Sequence, residues 1–522
     1  MDVALNSILT AYFLVITALY PLYIRDGYHG IGNTKFYFFR GVTLFSAVVI
    51  LFMLTVNLLY KVFYRRDEIS ISDHYRNMSK TDWFVYGYAV SVMLSYLFTL
   101  YQEEAFWGMQ GWYMGLCSQL MFISIYFAFS RYFKWRKELF FAIFGGSFLV
   151  FFLGILNRYS VYPIVLNGQT PGFISTLGNI NWFCGYLSVI GSLGITWYWG
   201  ETIKNGGIIL MIKRLAMAVY VWITFLAGIV QGSNSIYLVF ITIFLLLFYH
   251  SFEENGRIFR FLELMLFFTF SCQTARILRY VPGLAINYEN DLCRFLTDGN
   301  LTLYIGIGIL LLYIFLHVLL KGRHIQILRY RRFRYASLVI GIGFPILYAF
   351  LLTLNSCLTD GLPGLSGNPI FTFNQKWGNT RGSTWRIGFL AYLNMSARQK
   401  FIGIGPDCFT QYIYTVPDLA ERAYSQFGGS RLTNAHNEWL TILVNTGALG
   451  LFCYAGIFIS AFIRYLQKAE EQPIFYLCAA AVLSYSVHNM VSFQQILNTP
   501  FVFLIMGIGE SIYRQEKKIS FT

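Results

Sequence analysis

Three side chains that can hold phosphate or move a proton lie in the one long polar interval of an otherwise apolar sequence. Arg381 and Arg386 belong to the stretch KWGNTRGSTWRIGF, and His436 belongs to NAHNEWL. A guanidinium offers phosphate oxygens a rigid fork of donors and keeps its charge, which suits the holding of a pyrophosphate leaving group. The pattern therefore favours a pyrophosphate site at Arg381 and Arg386, with anchoring to lipid headgroups as the alternative.

His436 is the candidate proton acceptor. We predict that Asn434 caps a helix that begins at His436. The partial positive charge of a helix N-terminus disfavours imidazolium, so the ring should be neutral in neutral solution and able to accept a proton. Glu438 is the rival base, and its neighbour Asn437 is a further polar candidate for the site. The alternative is that His436 is a surface histidine at a helix start.

Two further arginines, Arg276 and Arg279, lie near the outer end of a predicted membrane span. Residues three apart project from one face of a helix, and an unpaired charge in hydrocarbon is costly. We therefore expect both side chains to line a hydrated cavity and to bind phosphate there. The alternative is that they extend to the outer lipid headgroups.

Glycine and asparagine mark two other candidate positions. Gly403 and Gly405 in FIGIGPDCF predict a rigid turn with exposed backbone donors, and a turn that only redirects the chain is the alternative. Asn179 and Asn181 in STLGNINWF precede an apolar run directly, so we expect them at a membrane surface.

Membrane helices must position these residues, because the chain is too apolar for a soluble enzyme. Of its 522 residues 56% are hydrophobic and 12% are charged, and the mean hydropathy is +0.54. Apolar runs of membrane length predict about 14 spans, or about 12 at the lower end. The net charge of +14 comes from short basic loops, as the positive-inside rule describes, and does not indicate nucleic-acid binding. The eight cysteines form no C-x-x-C pair, so neither a zinc site nor a disulfide framework is indicated.

One basic loop fixes the predicted topology. The stretch KGRHIQILRYRRFR, residues 321–334, holds six basic residues and no acid, which indicates the cytoplasmic side. The alternation of spans then places both termini in the cytoplasm. It divides the chain into an N-terminal transmembrane bundle of about eleven spans, a long extracytoplasmic catalytic loop with short helices, and C-terminal helices with a basic tail: residues 1–354, 355–435 and 436–522.

The order of several motifs resembles the signature of the O-antigen ligase and polysaccharide polymerase superfamily over roughly residues 170–500. These motifs are GNIN, RGSTWR with GIGPDCF, and AHNEWL with TGALG. The resemblance implies an all-α fold of the multi-span GT-C type and a glycosyltransferase that needs neither metal nor cofactor. It assigns the family's loop histidine to His436 and its loop arginine to Arg381 or Arg386. A third family arginine is missing at residues 233–235, which read Ser-Asn-Ser, and Arg276 or Arg279 is the candidate replacement.

The expected function is therefore polymerisation of glycan repeat units carried on polyprenyl pyrophosphate into a surface polysaccharide such as an O-antigen or capsule. Transfer of the finished glycan to another acceptor, as in a ligase, is the closest alternative. The expected partners are the lipid-linked donor, a glycan acceptor, membrane lipids and a chain-length regulator, in a bacterial cytoplasmic membrane with the site on the outer face. A glycolipid flippase or transporter is the alternative from another class. Transporters often couple through paired acids, whereas Glu263 and Glu510 in the predicted spans have no evident partner in the sequence.

Overall fold

The computed structural model describes residues 1–64, 77–201, 207–323, 332–358 and 361–519. The basic loop after the second predicted span and most of the basic loop at residues 321–334 therefore lie outside the described residues. The topology derived from these loops stays a prediction.

Helices make up nearly all regular structure in the described part of the chain. Eight of them are long and apolar enough to cross a membrane: Asp2–Leu22, Ile31–Tyr64, Lys137–Arg158, Ile208–Val230, Gly256–Arg279, Leu301–Leu319, Arg332–Cys357 and Glu438–Lys468. Two shorter apolar helices are Ser235–Ser251 and Ile474–His488. Four further helices, less apolar or shorter, are Lys80–Leu97, Leu116–Tyr132, Ile180–Gly200 and Thr499–Ile519. In lipid each helix satisfies its own backbone hydrogen bonds, which explains the architecture.

The remaining regular elements are short. The described residues include one antiparallel pair of two-residue strands, Phe173–Ile174 and Gly178–Asn179. Short helices connect the long ones: Gln102–Trp107, Asp291–Asp298, Trp377–Asn394, Ala397–Ile402, Phe409–Thr415 and Pro417–Phe427. The predicted all-α membrane fold is confirmed, whereas the count of fourteen spans stays a prediction, because eight helices of the described residues meet the length and composition of a span.

The helices differ in what surrounds them. Ile474–His488 packs between Ile180–Gly200 and Ser235–Ser251, and most of its side chains are buried. By contrast, the outward side chains of Leu301–Leu319 and Arg332–Cys357 are large, apolar and exposed, for example Leu311 and Phe344. Such faces are stable only against lipid, so these two helices lie at the periphery of a bundle whose centre is the C-terminal helices.

Two acidic residues inside the long helices, Glu263 and Glu510, are paired with arginines. Glu263 accepts hydrogen bonds from Arg214 and Arg260 at 3.0 and 2.9 Å. Glu510 pairs with Arg464 at 2.7 Å between Oε2 and Nε. The prediction that these acids have no evident partner is therefore wrong. Pairing compensates each buried charge, so the two acids need no transported ion to be stable in the bundle.

Candidate functional site

The first arginine of the RGSTWR motif begins a regular helix. The helix Trp377–Asn394 is interrupted at residues 378–380, where Asn379 and Thr380 have φ values of 60° and 68°. Left-handed backbone at residues other than glycine is strained and is common at functional sites. The interruption turns the chain sharply just before Arg381, so that the arginine side chain folds back over the turn.

This helix packs through a face of small residues against the segment that contains His436. Thr384, Gly388 and Ala391 are spaced three to four residues apart and are buried. Thr384 Oγ1 donates to the carbonyl oxygen of Ala435 at 2.9 Å. A Cβ on Gly388 would lie 3.2 Å from the Cβ of Ala435. The spacing therefore lets two backbones approach closely next to His436.

Arg381 lies on this same face and is partly buried. Its Nε donates to the carbonyl oxygen of Val491 at 3.0 Å, and its Nη1 donates to that of Gly378 at 2.8 Å. No carboxylate pairs with it among the described residues. Burial lowers the pKa of Arg381, but a guanidinium remains charged in neutral solution. The site therefore contains a cation whose charge no acid of the described chain neutralises.

Arg386 lies elsewhere on the helix. Five residues correspond to a rotation of about 140° from Arg381, and the side chain of Arg386 is exposed. It makes no hydrogen bond or ion pair with the described residues. The structure therefore does not assemble the predicted clamp of two arginines, and Arg381 is the one next to the histidine segment.

His436 lies just before a helix and not inside it. The helix Glu438–Lys468 is capped by Asn437, whose side chain accepts the N–H of Leu440 at 3.0 Å. The prediction that Asn434 caps a helix beginning at His436 is wrong. Asn434 instead accepts the N–H of His436 itself at 2.8 Å and helps to hold it in a left-handed conformation, with φ of 49°. A bend, and not the first helical turn, directs the imidazole.

The environment of His436 keeps its ring neutral. Burial lowers its pKa from the ordinary 6.5 to about 4, and the charge of Arg381 adds to the effect. The predicted neutrality is thus reproduced for a different reason, because burial and a neighbouring guanidinium act where a helix dipole was expected. The ring of Phe493 meets the imidazole edge to face, with 5.2 Å between the centroids.

A short segment that sequence reasoning missed, residues 488–493, contacts each of the central residues. Asn489 binds Glu438, the carbonyl of Val491 accepts from Arg381, and Phe493 packs on His436. The segment reads HNMVSF and follows the helix Ile474–His488. A histidine and an asparagine at the end of an apolar run are unusual enough to have signalled a site.

Glu438 lies in a buried network and does not face an open cleft. Its backbone N–H donates to the carbonyl of Asn489 at 2.9 Å. Its carboxylate accepts hydrogen bonds from Tyr454, Tyr485 and Asn489, and its side chain is almost completely inaccessible. With both oxygens occupied, Glu438 is poorly placed to accept a proton from a substrate. Its contacts indicate that it fixes the start of the helix behind His436.

Gly403 and Gly405 form a turn whose donors are used inside the protein. The helix Glu438–Lys468 bends at Gly447, which has φ of 72°. The N–H of Ile404 donates to the carbonyl of Val444 at 3.3 Å, and that of Gly405 to Asn445 at 3.0 Å. These bonds satisfy carbonyls that the bend leaves without helical partners. The predicted exposed donors are therefore absent at this turn, and the alternative of a turn that redirects the chain fits better.

Asp407 ends the same turn and joins it to an earlier loop. Its Oδ2 accepts the N–H groups of Met109 and Met114 at 2.8 and 3.0 Å. Burial raises the pKa of Asp407 to about 7. Asp407, Asn434 and Phe493 line a cavity of about 30 Å³, which has room for a water molecule or two.

The GNIN turn meets the turn at residues 231–235. Asn179 caps the helix Ile180–Gly200 by accepting the N–H of Asn181 at 2.8 Å. The amide oxygen of Asn181 lies 3.5 Å from Ser233 Oγ, and Ser235 Oγ lies 3.3 Å from Nε2 of His488. Asn181 is thus connected to the site through serines, whereas Asn179 has a structural role.

Arg276 and Arg279 are occupied by neighbouring polar groups. Arg276 donates to Asn300 Oδ1 at 2.7 Å. Arg279 forms ion pairs with Glu289 and Asp298. The structure thus gives Arg279 two carboxylate partners, and a free cationic cavity at these arginines is not formed. Neither residue contacts Arg381 or His436.

Comparison with known proteins identifies one part of the chain. The family model of O-antigen ligase matches residues 294–455, which include Arg381, the turn at Gly403 and Gly405, and His436. No curated protein matches the sequence. The match confirms the resemblance seen in the motifs, although Asn181 and His488 lie outside the matched residues. The chain is therefore a multi-pass membrane protein whose residues 294–455 match the O-antigen ligase family.

Proposed function

We propose that the protein is a glycosyltransferase that joins polyprenyl-pyrophosphate-linked repeat units into a surface polysaccharide. The observation that carries this proposal is the pairing of Arg381 with His436. Arg381 is partly buried without a carboxylate partner in the described chain, and His436 next to it is neutral. An unpaired cation can bind the pyrophosphate, and a neutral imidazole beside it can accept a proton. Together they suit the transfer of a glycan from a pyrophosphate to a hydroxyl.

In the proposed reaction His436 removes the proton of the attacking sugar hydroxyl. The hydroxyl oxygen forms the new bond to the anomeric carbon of the donor glycan. The bond from that carbon to the pyrophosphate oxygen breaks, and its electron pair leaves with the lipid pyrophosphate. Arg381 binds the departing group through donors of fixed geometry. The imidazolium formed on His436 later loses its proton to solvent.

The charge of Arg381 has two consequences for the base. Before the donor binds, it disfavours protonation of His436, which keeps the base free. When the pyrophosphate neutralises Arg381, the imidazolium that forms during transfer is no longer opposed by an uncompensated cation. The affinity of the ring for a proton therefore rises in the complex that needs it.

The identity of the acceptor distinguishes a polymerase from a ligase. Both reactions need a base and a pyrophosphate site, and we propose the polymerase with ligase-type transfer as the alternative. The proposed setting is a bacterial cytoplasmic membrane, with both termini in the cytoplasm, the site on the outer face and a chain-length regulator as a partner. A flippase or transporter fits this structure less well, because Glu263 and Glu510 in the long helices of the protein are already paired with arginines.

The test is elongation of a defined lipid-linked repeat unit by the purified full-length protein. A positioned base contributes about 10²–10⁴-fold to rate, so His436→Ala should lose about that much activity while its binding of donor persists. His317→Ala is the matched control, because His317 is an exposed histidine on the peripheral helix Leu301–Leu319. Wild-type protein that leaves the donor intact with every acceptor would refute the proposed function. A new product with a non-identical acceptor only would select the ligase.

A further inference from the structure

His488 is buried completely and takes part in a directed chain of hydrogen bonds. Its Nδ1 lies 2.9 Å from Oδ1 of Asn489, and its Nε2 lies 3.3 Å from Oγ of Ser235. Ser235 Oγ lies 3.0 Å from Oγ of Ser233. The chain therefore runs from the buried carboxyl of Glu438 through Asn489 and His488 to two serine hydroxyls.

The position of each proton in this chain follows from the orientation of the Asn489 amide. Its Nδ2 donates to Glu438, so its Oδ1 faces Nδ1 of His488. Nδ1 of His488 must then carry the ring proton, which leaves a lone pair on Nε2. Ser235 satisfies that lone pair with its hydroxyl proton.

The same reasoning gives the outer end of the chain. Because Ser235 has used its proton, its oxygen can only accept, and Ser233 donates to it across the short 3.0 Å contact. The hydroxyl proton of Ser233 is then not available for the longer contact of 3.5 Å between Ser233 Oγ and Asn181 Oδ1. Ser233 Oγ accepts the N–H of Ser235 at 3.4 Å and keeps one lone pair for a ligand. This lone pair lies next to the amide of Asn181, whose Nδ2 has no partner among the described residues.

Because Ser233 Oγ can only accept a hydrogen bond from a ligand, it determines which chemical group can bind there. A phosphate oxygen needs donors, and Ser233 has none to offer. A sugar hydroxyl is both donor and acceptor, and it can donate to Ser233 while it accepts from Asn181. Ser233 is half-buried, whereas Ser235 and His488 are buried, so Ser233 is the member of the chain that a substrate can reach.

We propose that Ser233 and Asn181 bind a hydroxyl group of the acceptor glycan, and that His488 and Ser235 are positioning residues that set the polarity of Ser233. The inference rests on the proposed function, because it places the acceptor at a site whose donor is held by Arg381. His488 precedes Val491, the residue that binds Arg381, by three positions. Acceptor and donor sites would thus share the segment 488–493.

The experiment measures the KM for acceptor and kcat separately. It uses purified full-length protein, a short-chain polyprenyl-pyrophosphate-linked repeat unit as donor and a lipid-free oligosaccharide of the same repeat as acceptor. Loss of one hydrogen bond of about 1 kcal/mol corresponds to about fivefold. Ser233→Ala and Ser235→Ala should therefore raise the KM for acceptor about fivefold at unchanged donor affinity.

The positioning role has its own readout in the conservative variant. Gln can place an amide oxygen near the position of Nε2, so His488→Gln should restore the KM for acceptor that His488→Ala raises. Ser251→Ala is the control, because Ser251 is a buried serine at the other end of the helix Ser235–Ser251. Its Oγ donates to the carbonyl oxygen of Leu247 and accepts the indole N–H of Trp199. It should leave the KM unchanged.

Three results would overturn the proposal. These are an unchanged KM for acceptor in Ser233→Ala, a loss of donor affinity equal to the loss of acceptor affinity, and a loss of kcat alone in both His488 variants. Failure of the proposed function looks different, because wild-type protein would then consume no donor at all.

Discussion

Thr384 Oγ1 donates to the carbonyl oxygen of Ala435 at 2.9 Å, across 51 residues of sequence. Arg381 lies one helical turn before Thr384, and His436 directly follows Ala435. A single hydrogen bond thus ties together the two segments that carry the candidate phosphate ligand and the candidate base. No hydrogen bond joins the side chains of Arg381 and His436 themselves, so their separation depends on contacts between the two segments such as this one.

Replacement of Thr384 tests this dependence. Thr384→Val keeps the branched shape and leaves the buried carbonyl of Ala435 without its donor, which costs about 1–3 kcal/mol. We expect lower activity and a lower unfolding temperature of the purified protein. Thr384→Ser retains the hydroxyl and should recover most of both. Equal behaviour of the valine and serine variants would show that the bond does not position the site.

The two arginines of the RGSTWR motif should behave differently. Arg381→Ala should reduce turnover by about 10²-fold, as expected for removal of a donor to a developing anion. Arg381→Lys should recover little, because a point charge cannot reproduce the guanidinium fork. Arg386→Ala is the matched control on the same helix, and an exposed charge of this kind contributes little. Polymer yield at matched protein level is the measurement, and a larger loss at Arg386 would contradict the assignment.

The pH dependence of activity should report on His436. Its pKa is lowered from 6.5 to about 4, so the base form persists down to that pH. The acid limb of kcat/KM should therefore fall near pH 4 and not near 6.5. Arg381→Gln removes a charge that disfavours imidazolium and should move the limb upward. A wild-type limb near pH 6.5 would mean that the base is more exposed than His436 is in this structure.

The same titration affects stability in a defined direction. The unfolded chain binds a proton at His436 below about pH 6.5, whereas the folded chain does so only below about 4. Its contribution to the free energy of unfolding is thus complete above pH 6.5 and is lost between 6.5 and 4. Asp407 acts oppositely, because its pKa is raised to about 7. Its contribution to the free energy of unfolding is complete below its ordinary pKa of 3.8 and is lost as the pH rises from 3.8 to 7, so Asp407→Asn should remove the fall in stability over that interval.

Glu438 should be required for structure and not for proton transfer. In Glu438→Gln the new amide N–H would face the N–H of Asn489 or the hydroxyl of Tyr485, both of which are donors. A buried donor without an acceptor costs about 1–3 kcal/mol. We expect a lower unfolding temperature and lower activity together. A second change, Asn489→Asp, restores a donor facing an acceptor and should recover stability. Loss of activity at wild-type stability in Glu438→Gln would instead make Glu438 the base.

The predicted topology can be tested by cysteine labelling. Cys357 is exposed and must first be replaced, so the background is Cys357→Ser. Ser430→Cys, in an exposed part of the long loop, should react with an impermeant reagent from outside intact cells. Gln326→Cys, which lies outside the described residues, should react only after permeabilisation. The reverse pattern would place the site in the cytoplasm.

The membrane fold and the central residues could be read from the sequence because both depend on local pattern. Apolar runs of membrane length gave the helices, and His436 lay in the long polar interval. The choice between Arg381 and Arg386 was also available. Arg381 shares a helical face with Thr384 and Gly388, and that row of small residues indicates close packing against another segment.

The contacts between distant segments could not be read in the same way. The segment 488–493 touches Arg381, Glu438 and His436. Its histidine and asparagine could have signalled a site, but nothing in the sequence shows which distant residues they contact. Arg279 was expected to be free because Glu289 and Asp298 are local partners only when the chain turns after Pro282. The bend at Gly447 was equally hidden, since a glycine in an apolar run usually serves packing.

The bend at Gly447 has a consequence for the order in which the site can form. The carbonyls freed there are bound by Ile404 and Gly405, which the ribosome makes some forty residues earlier. Until the helix Glu438–Lys468 is inserted, the turn at Gly403 and Gly405 lacks its partners, and the segment 488–493 that binds Arg381 is made later still. A nascent chain halted at Lys468 would contain every motif of the matched family domain and still lack a formed site. Assembly of the site is thus delayed until the C-terminal helices are inserted, and a partly synthesised chain does not yet hold Arg381 in place beside His436.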